Sequence, residues 1–404
     1  MTTSDPNVPA FIGLLMVVAV VAAMVRVVRL PYEVALVAAG LVISLTPNAP
    51  QITITPSVIL TVFLPVLLFH GAYNLPFPEF RAHLAAIAIL ALPGVLITAG
   101  LVGGILHLLA GLSWSVALLF GAIVAATDPV SVLSIFGQVR APAALAAIVN
   151  GESLFNDGTA LVLFTQALAV VEGARVAPFH MAGQIVVVIV GSLALGAVVG
   201  LGGARILSRI DDALLETTIT FIMAYGGYLL ADHLTLSGPL ETVTAGILLG
   251  TRGENVMCED TRMQARATWE FLDFLANSLV FLLMGMSVRG VGNLVAEGTV
   301  KPWAAVGSAI GAVVVSRLIV VALTNGLLRA LRRPLPERWN LVLAWVGLRG
   351  AVSLAAVLSL PAGVPDRDLL RILTFGVVLF TLLAQGLTIK PLLHRLDLAN
   401  EEQR

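Results

Sequence analysis

Long hydrophobic stretches, separated by short connections rich in proline, glycine and charge, recur along the whole sequence. A helix needs about 20 mostly apolar residues to cross a bilayer, and the sequence contains many stretches of about this length. The pattern therefore predicts an all-α polytopic membrane protein with about thirteen transmembrane helices. We place them at 10–28, 32–46, 56–72, 84–109, 114–138, 142–172, 181–208, 214–232, 238–251, 268–288, 303–330, 339–361 and 369–392.

The composition supports a protein that lies almost entirely within lipid. Hydrophobic residues make up 58% of the chain and charged residues 12%, whereas soluble domains carry roughly 25% charged residues. A β-barrel would need short alternating segments, and these stretches are continuous. We expect one transmembrane domain over residues 1–395 and a short cytoplasmic tail over 396–404, with membrane lipid as a partner. No basic tract suggests a nucleic-acid partner.

The basic residues predict the orientation, because cytoplasmic connections carry an excess of lysine and arginine. One set of alternate connections, together with the C-terminal end, holds 16 basic residues, and the opposite set holds 5. This asymmetry predicts a multi-pass protein of the cell membrane with its N-terminus outside and its C-terminus in the cytoplasm. Such an arrangement requires an odd number of spans.

One span is predicted to be interrupted within GAIVAATDPVSVLSIFG, residues 121–137. Pro129 lacks a backbone donor and disfavours helix at Asp128, the residue before it. A proline kink alone would not require a costly membrane-buried aspartate next to it. A broken helix at membrane depth is tolerated where its free backbone groups line a cavity in the protein. We therefore interpret the Thr127–Asp128 pair as part of a functional site.

A second interruption is predicted near 339–361, within AWVGLRGAVSLAAVLSLP. Gly347 and Gly350 weaken the helix on either side of Arg349. Arg349 lies too far from either end of the span to reach water easily, so it requires an acidic partner or a wet cavity. Two interrupted helices in corresponding halves of a transporter indicate a binding site near the bilayer midplane.

The segment GESLFNDGTALVLF, residues 151–164, places two acids in an apolar run. Ser153 and Asp157 are four residues apart and share one helix face. Glu152 lies about 140° around the helix from Asp157, so the two carboxylates point in different directions. We therefore predict that Glu152 forms a structural ion pair with Arg349, and that Asp157 remains the exchangeable carboxylate.

A hard alkali cation prefers oxygen ligands, and Asp157, Ser153 and Thr127 offer them together with water. A proton competes with the cation for the same carboxylate. The pattern predicts a site for a hard alkali cation, such as Na⁺, at these three residues.

Four segments, ATDPVS, GESLFNDGTALVLF, VGLRGAVSLA and FLPVLLFHGAYNLP, resemble the monovalent cation/proton antiporter family of the sodium/proton exchanger type, cation/proton antiporter 1. The resemblance covers essentially the whole membrane domain. It implies thirteen spans in two inverted six-helix repeats, a homodimer, and a core bundle that moves against a dimerisation scaffold. It implies no cofactor beyond the transported ions, and no enzymatic activity.

The resemblance also implies individual roles. Asp157 corresponds to the ion-binding acid, and Asn156 to its polar neighbour. A neutral residue at that neighbouring position implies electroneutral exchange, one proton for one cation. The resemblance implies that Thr127 and Ser153 are cation ligands and that Asp128 is the crossover acid. It also implies that Glu152 forms the structural ion pair with Arg349.

Several polar residues have no role assigned by these patterns. His70 stands where the family often has an acid; it is either a tolerated polar residue at a cavity edge or a modulator of pH response and cation preference. Arg317, in the middle of a span, needs a partner for charge balance, and we expect either Asp128 or a helix C-terminus. Three further residues are expected at the membrane interface near the outer ends of spans: Asp232, His233 and Glu241.

The leading function is a secondary antiporter that exchanges Na⁺, with Li⁺ tolerated, for H⁺. A K⁺/H⁺ antiporter is the alternative within the same class. An intramembrane aspartyl protease would use two aspartates that share a proton, and Asp128 and Asp157 are the candidates, although neither lies in a YD or GxGD context. A passive channel would show filter-like repeats, which the sequence lacks.

Overall fold

The computed structural model describes residues 7–28, 31–46, 56–174, 178–253, 257, 259–296 and 303–399, and these contain helices and no strands. We number the helices in chain order. They are α1 Asn7–Val28, α2 Tyr32–Ser44, α3 Ile59–Tyr73, α4 Phe77–Ala82, α5 Leu84–Ala110, α6 Trp114–Ile123, α7 Val130–Val139, α8 Ala143–Val171, α9 Pro178–Leu207, α10 Ala213–His233, α11 Gly238–Gly253, α12 Glu259–Ala296, α13 Trp303–Ala330, α14 Glu337–Trp345, α15 Ala351–Leu358 and α16 Arg367–Arg395.

The helices coincide with the predicted spans, which confirms an all-α multi-pass membrane protein. Seven of the described helices are long and apolar enough to cross a bilayer unaided, namely α5, α8, α9, α10, α12, α13 and α16. Both predicted interruptions are present: α6 and α7 are separated by residues 124–129, and α14 and α15 by residues 346–350. Four basic residues used for the predicted orientation lie outside the described residues: Arg29, Arg175, Lys301 and Arg404.

Helix α8 lies in the middle of the molecule and contacts α5, α6 and α11 as well as the two shorter helices α7 and α15. Its segment 151–160 is buried at every position except the half-buried Phe155. The surface of the molecule is instead formed by apolar side chains such as Phe179 and Val187 on α9, which are exposed as expected for lipid contact. The acids of α8 therefore face protein and not lipid.

In the part of the chain that the structure describes, three spans contain a π-helical turn that the hydrophobic pattern did not predict: Ile59–Phe63 in α3, Ile222–Gly226 in α10 and Thr381–Gln385 in α16. In α3 the wide turn ends two residues before Pro65, which cannot donate a backbone hydrogen bond. Such turns are frequent at functional sites, and the one in α16 places Thr381 against the second helix break.

The start of the predicted tail is packed against the helical domain. Leu398 is buried, and Arg338 at the start of α14 donates to the carbonyl of Leu396 at 3.1 Å. Residues 400–404 lie outside the described residues. A separate tail over 396–404 stays a prediction.

Helices α2 and α12 approach so closely that glycine is required on both sides of their contact. A Cβ atom on Gly40 would overlap the carbonyl oxygen of Leu282, and one on Gly285 would overlap the carbonyl oxygen of Val37. In membranes small residues allow backbones to approach, and dispersion contacts then stabilise the helix pair.

We expect Gly40→Ala to lower the stability of the purified protein by about 1–3 kcal/mol, because the new methyl group forces the two backbones apart. Thermal unfolding in detergent measures the change. Gly104→Ala in α5 is the matched control, since nothing lies within 4 Å of a Cβ atom built there. Equal melting temperatures for the two variants would contradict the close packing of α2 on α12.

Candidate functional site

The two helix breaks cross each other, and a backbone hydrogen bond joins them. The amide of Asp128 donates to the carbonyl of Leu348 at 2.8 Å. Gly350 is required at the crossing, because a Cβ atom there would overlap the Asp128 carboxylate. The spans predicted to be interrupted thus meet, as the two broken helices of a transporter core are expected to do.

Asp128 faces the first amides of both helices that leave the crossing. Its Oδ1 accepts a hydrogen bond from the amide of Val130 at 3.0 Å, at the start of α7. Its carboxylate also accepts from the backbone of Ala351, at the start of α15. Helix N-termini carry a partial positive charge, so a carboxylate between them is stabilised. This geometry supports the charge-balancing role expected for Asp128.

Arg349 lies at the crossing but does not pair with Glu152, so the predicted Glu152–Arg349 ion pair is wrong. Its Nη1 donates to the carbonyls of Ala125 and Ala126, at 2.6 and 2.9 Å. These carbonyls follow the end of α6, where the helix leaves its last acceptors without partners. Its own amide donates to the hydroxyl of Thr381 in the π-helical turn of α16, at 3.1 Å. Arg349 thus supplies hydrogen-bond donors to the free carbonyls at the end of a broken helix.

Glu152 instead pairs with Arg317 of α13. Both Nη atoms donate to the carboxylate, Nη1 to Oε1 and Nη2 to Oε2, the latter at 2.9 Å. The Nε of Arg317 donates to the carbonyl of Leu343 at 2.8 Å, in the last turn of α14. The expected helix C-terminus is therefore confirmed as a partner of Arg317, whereas Asp128 is not one. Helical spacing predicts the direction in which the Glu152 side chain points. It does not predict which of the two mid-span arginines, Arg317 or Arg349, lies on that side of the helix.

Asn156 and Ser153 hold the first break in place. The amide of Thr127 donates to Asn156 Oδ1 at 3.1 Å, and Asn156 Nδ2 donates to the Thr127 hydroxyl at 2.6 Å. The Ser153 hydroxyl donates to the Thr127 carbonyl. Asn156 is buried and does not line the cavity described next, so its contacts fit a supporting role and not that of a cation ligand.

Asp157 borders a cavity of about 330 Å³ that it shares with Thr127, Asp128 and Ser153. It is 8% exposed, and its Oδ1 is buried without a hydrogen-bond partner. Among the described residues Asp157 forms no ion pair. Arg317 pairs with Glu152 instead, and Arg349 donates hydrogen bonds to backbone carbonyls. One oxygen of this carboxylate is therefore free to bind an incoming ion.

The other part of the cavity wall carries polar residues that the sequence analysis did not select. His70 Nδ1 lies 3.3 Å from Asp273 Oδ1, and Asn74, Asn150 and Asn277 also line the cavity. The segment FLDFLANSLVFLLMG, residues 271–285, carries a signal that could have found two of them. Asp273 and Asn277 are four residues apart in an apolar run, so they share one face of α12.

The residues expected at the membrane interface divide into two groups. Asp232 and His233 are exposed at the end of α10, as expected. Glu241 is fully buried, which contradicts the expectation. Its carboxylate lies against Gly227, where the missing side chain leaves room, and accepts a hydrogen bond from the Thr242 hydroxyl at 3.1 Å.

The chain is similar to a well-populated group of membrane transporters. The family model described as "Sodium/hydrogen exchanger, transmembrane" matches residues 14–395. The chain is 39% identical over 355 residues to the Na⁺/H⁺ antiporter NhaP of Pseudomonas aeruginosa, covering 84% of this chain and 81% of the relative. It is 35% identical over 382 residues to the Na⁺/H⁺ antiporter ApNhaP of Aphanothece halophytica, covering 92% and 71%.

A solved structure shares the fold. The sodium proton antiporter MjNhaP1 of Methanocaldococcus jannaschii superposes with a TM-score of 0.78 at 21% identity, over 96% of this chain and 98% of that one.

The Glu152–Arg317 pair generates a prediction about stability. Glu152→Gln leaves a buried guanidinium without its counter-charge, and we expect a loss of about 3–5 kcal/mol. Thermal unfolding of the purified protein in detergent measures it. The matched control is Glu337→Gln, which breaks the exposed pair with Arg329, and we expect it to change stability by at most about 1 kcal/mol. If Glu152→Gln has the same melting temperature as the parent protein, the pair does not stabilise the fold.

Proposed function

The chain belongs to the sodium/hydrogen exchanger family, a family of secondary transporters and not of enzymes, and on that premise we propose that it exchanges Na⁺ for H⁺ at Asp157. The observation that carries the proposal is the free Oδ1 of this buried carboxylate beside a polar cavity within the membrane domain. The relatives' names support Na⁺ as the cation, and they lend no support to the K⁺/H⁺ alternative.

Four charged side chains at the crossing are each bonded to a helix end or to an opposite charge: Asp128, Glu152, Arg317 and Arg349. Asp157 accepts no such bond at its Oδ1. A buried carboxylate without a partner is costly, so binding either a proton or a cation stabilises the site, and the unloaded charged state is disfavoured.

Oxygen atoms suited to a hard monovalent cation lie around Asp157 on the cavity wall. The Ser153 hydroxyl donates its proton to Thr127, which leaves its oxygen lone pairs available. The Thr127 hydroxyl accepts a hydrogen bond from Asn156 and retains a second lone pair. In our proposal Asp157, Ser153, Thr127 and water ligate Na⁺ or, with less discrimination, Li⁺. Protonation of Asp157 then releases the cation.

One exchangeable carboxylate implies one proton for one Na⁺, since the neutral Asn156 beside it cannot carry a second proton. We propose that alternating access comes from motion of a core bundle, containing the crossed helices, against a dimerisation scaffold in a homodimer. In the predicted orientation the His70 end of the cavity faces the cytoplasm.

Two alternatives of other classes are less compatible with the geometry. A protease dyad needs two carboxyls that share a proton, whereas the Asp128 carboxylate accepts bonds from backbone amides at helix starts. A passive channel would give Na⁺ flux without a pH gradient, which the following measurements test directly.

We expect Asp157→Asn to abolish exchange while the protein still inserts and folds, because an amide can bind neither the transported proton nor the cation's charge. Na⁺-driven dequenching of a pH-sensitive dye in everted membrane vesicles measures exchange. Asp232→Asn, which neutralises an exposed aspartate outside the cavity lining, is the control and should retain the parent activity. Dequenching by Asp157→Asn at the parent rate would refute the assignment of this residue.

The stoichiometry gives a separate prediction. If one proton exchanges for one cation, no net charge crosses the membrane, so the rate in proteoliposomes should not change when a K⁺/valinomycin clamp sets different membrane potentials. Moving one net charge through a potential is worth about 2.3 kcal/mol per 100 mV, so unequal stoichiometry would give a clearly potential-dependent rate. Such a dependence would refute electroneutral exchange.

A further inference from the structure

We propose that Asp273 and Asn277 form a second, outer cation site at the mouth of the cavity. The inference rests on the proposed function, since it concerns the route by which the cation reaches Asp157. It assigns roles to side chains that Na⁺/H⁺ exchange at Asp157 does not by itself require.

Asn277 indicates that the part of the cavity wall next to Asp273 is suited to a polar ligand. Its side chain is 8% exposed and lines the cavity. Among the described residues it has no hydrogen-bond partner. A buried amide without a partner costs free energy unless it meets water or an ion. Asp273 lies one turn earlier on the same face of α12, so a carboxylate and an amide oxygen converge on one part of the cavity.

Asp273 carries the charge that a cation would need at this point. Its carboxylate is partly exposed and lies 3.3 Å from the ring of His70, its partner from α3. A negative charge at the mouth of a cleft attracts cations from the aqueous side and raises their local concentration. Asp273 therefore supplies the attraction that draws a cation toward Asn277 and the interior of the cavity.

Few other ionisable groups face His70 from the helices packed around α3. The cavity wall contributes Asp157 from α8 and Asp128 from the first break. From α10, the Tyr225 hydroxyl donates to the carbonyl of Val62. The remaining charged or ionisable residues on the neighbouring helices do not line the cavity, among them Glu152 on α8, Glu241 and Arg252 on α11, and Arg262, Arg266 and Glu270 on α12. Asp273 therefore supplies the charge of this part of the cavity wall, and His70 is its neighbour there.

The apparent KM for Na⁺ in everted vesicles tests the outer site. We expect Asp273→Asn to raise the apparent KM about tenfold, the size of a local concentration effect in a charged cleft. The maximal rate should be retained.

Glu270→Gln is the matched control, since it removes the same charge from the same helix at an exposed position outside the cavity lining. It should leave the KM as in the parent. A KM for Asp273→Asn equal to that of the parent, or an equal shift in Glu270→Gln, would overturn the outer site.

Binding of ²²Na⁺ to purified protein separates this inference from the proposed function. In the Asp157→Asn background we expect residual weak Na⁺ binding that disappears in the Asp157→Asn, Asp273→Asn double variant. Loss of that residual binding supports the outer site even if the parent protein shows no exchange. Identical binding by the two variants refutes the outer site even if exchange by the parent is robust.

Discussion

The crossing of two broken helices within the membrane is the constraint on which the rest of the structure depends. Each break leaves backbone carbonyls and amides without helical partners, and lipid offers none. The protein satisfies them with charged side chains: Arg349 bonds to the carbonyls after α6, Arg317 to a carbonyl at the end of α14, and Asp128 to amides at the starts of α7 and α15. Each of these buried charges therefore has a structural reason.

This arrangement explains why Asp157 is chemically distinct from its neighbours. Arg317 requires a counter-charge in the apolar interior, and Glu152 of α8 provides it. Asn156 and Ser153, from the same part of α8, hold Thr127 at the break. Asp157 alone among the polar side chains of this segment has an oxygen without a partner and borders the cavity. The neighbouring polar groups have hydrogen-bond partners of their own, so the charge proposed to change at Asp157 is not needed to hold the break in place.

The cavity links two different electrostatic environments. At the crossing, Asp157 is almost fully buried, so it strongly favours being neutralised by a proton or a cation. Near the mouth, Asp273 and His70 are about one-fifth exposed, so water screens their charges and their pairing is weaker. On the proposed route, a cation that moves inwards passes from a screened site to a buried one. We therefore infer that the inner site sets binding strength and selectivity, and that the outer site affects access.

The amino-acid sequence determined the helical class, the positions of the spans, both breaks, the family, and the separation of Glu152 from Asp157, because these depend on hydrophobic length, proline and glycine chemistry, motifs and the helical period. The tertiary structure alone decided which arginine pairs with Glu152, that Asn156 supports Thr127, that Glu241 is buried against Gly227, and that Asp273 meets His70. A helical period gives the direction of a side chain on its own helix. The partner it meets depends on how neighbouring helices are packed and at what depth, and no local pattern along the chain encodes that.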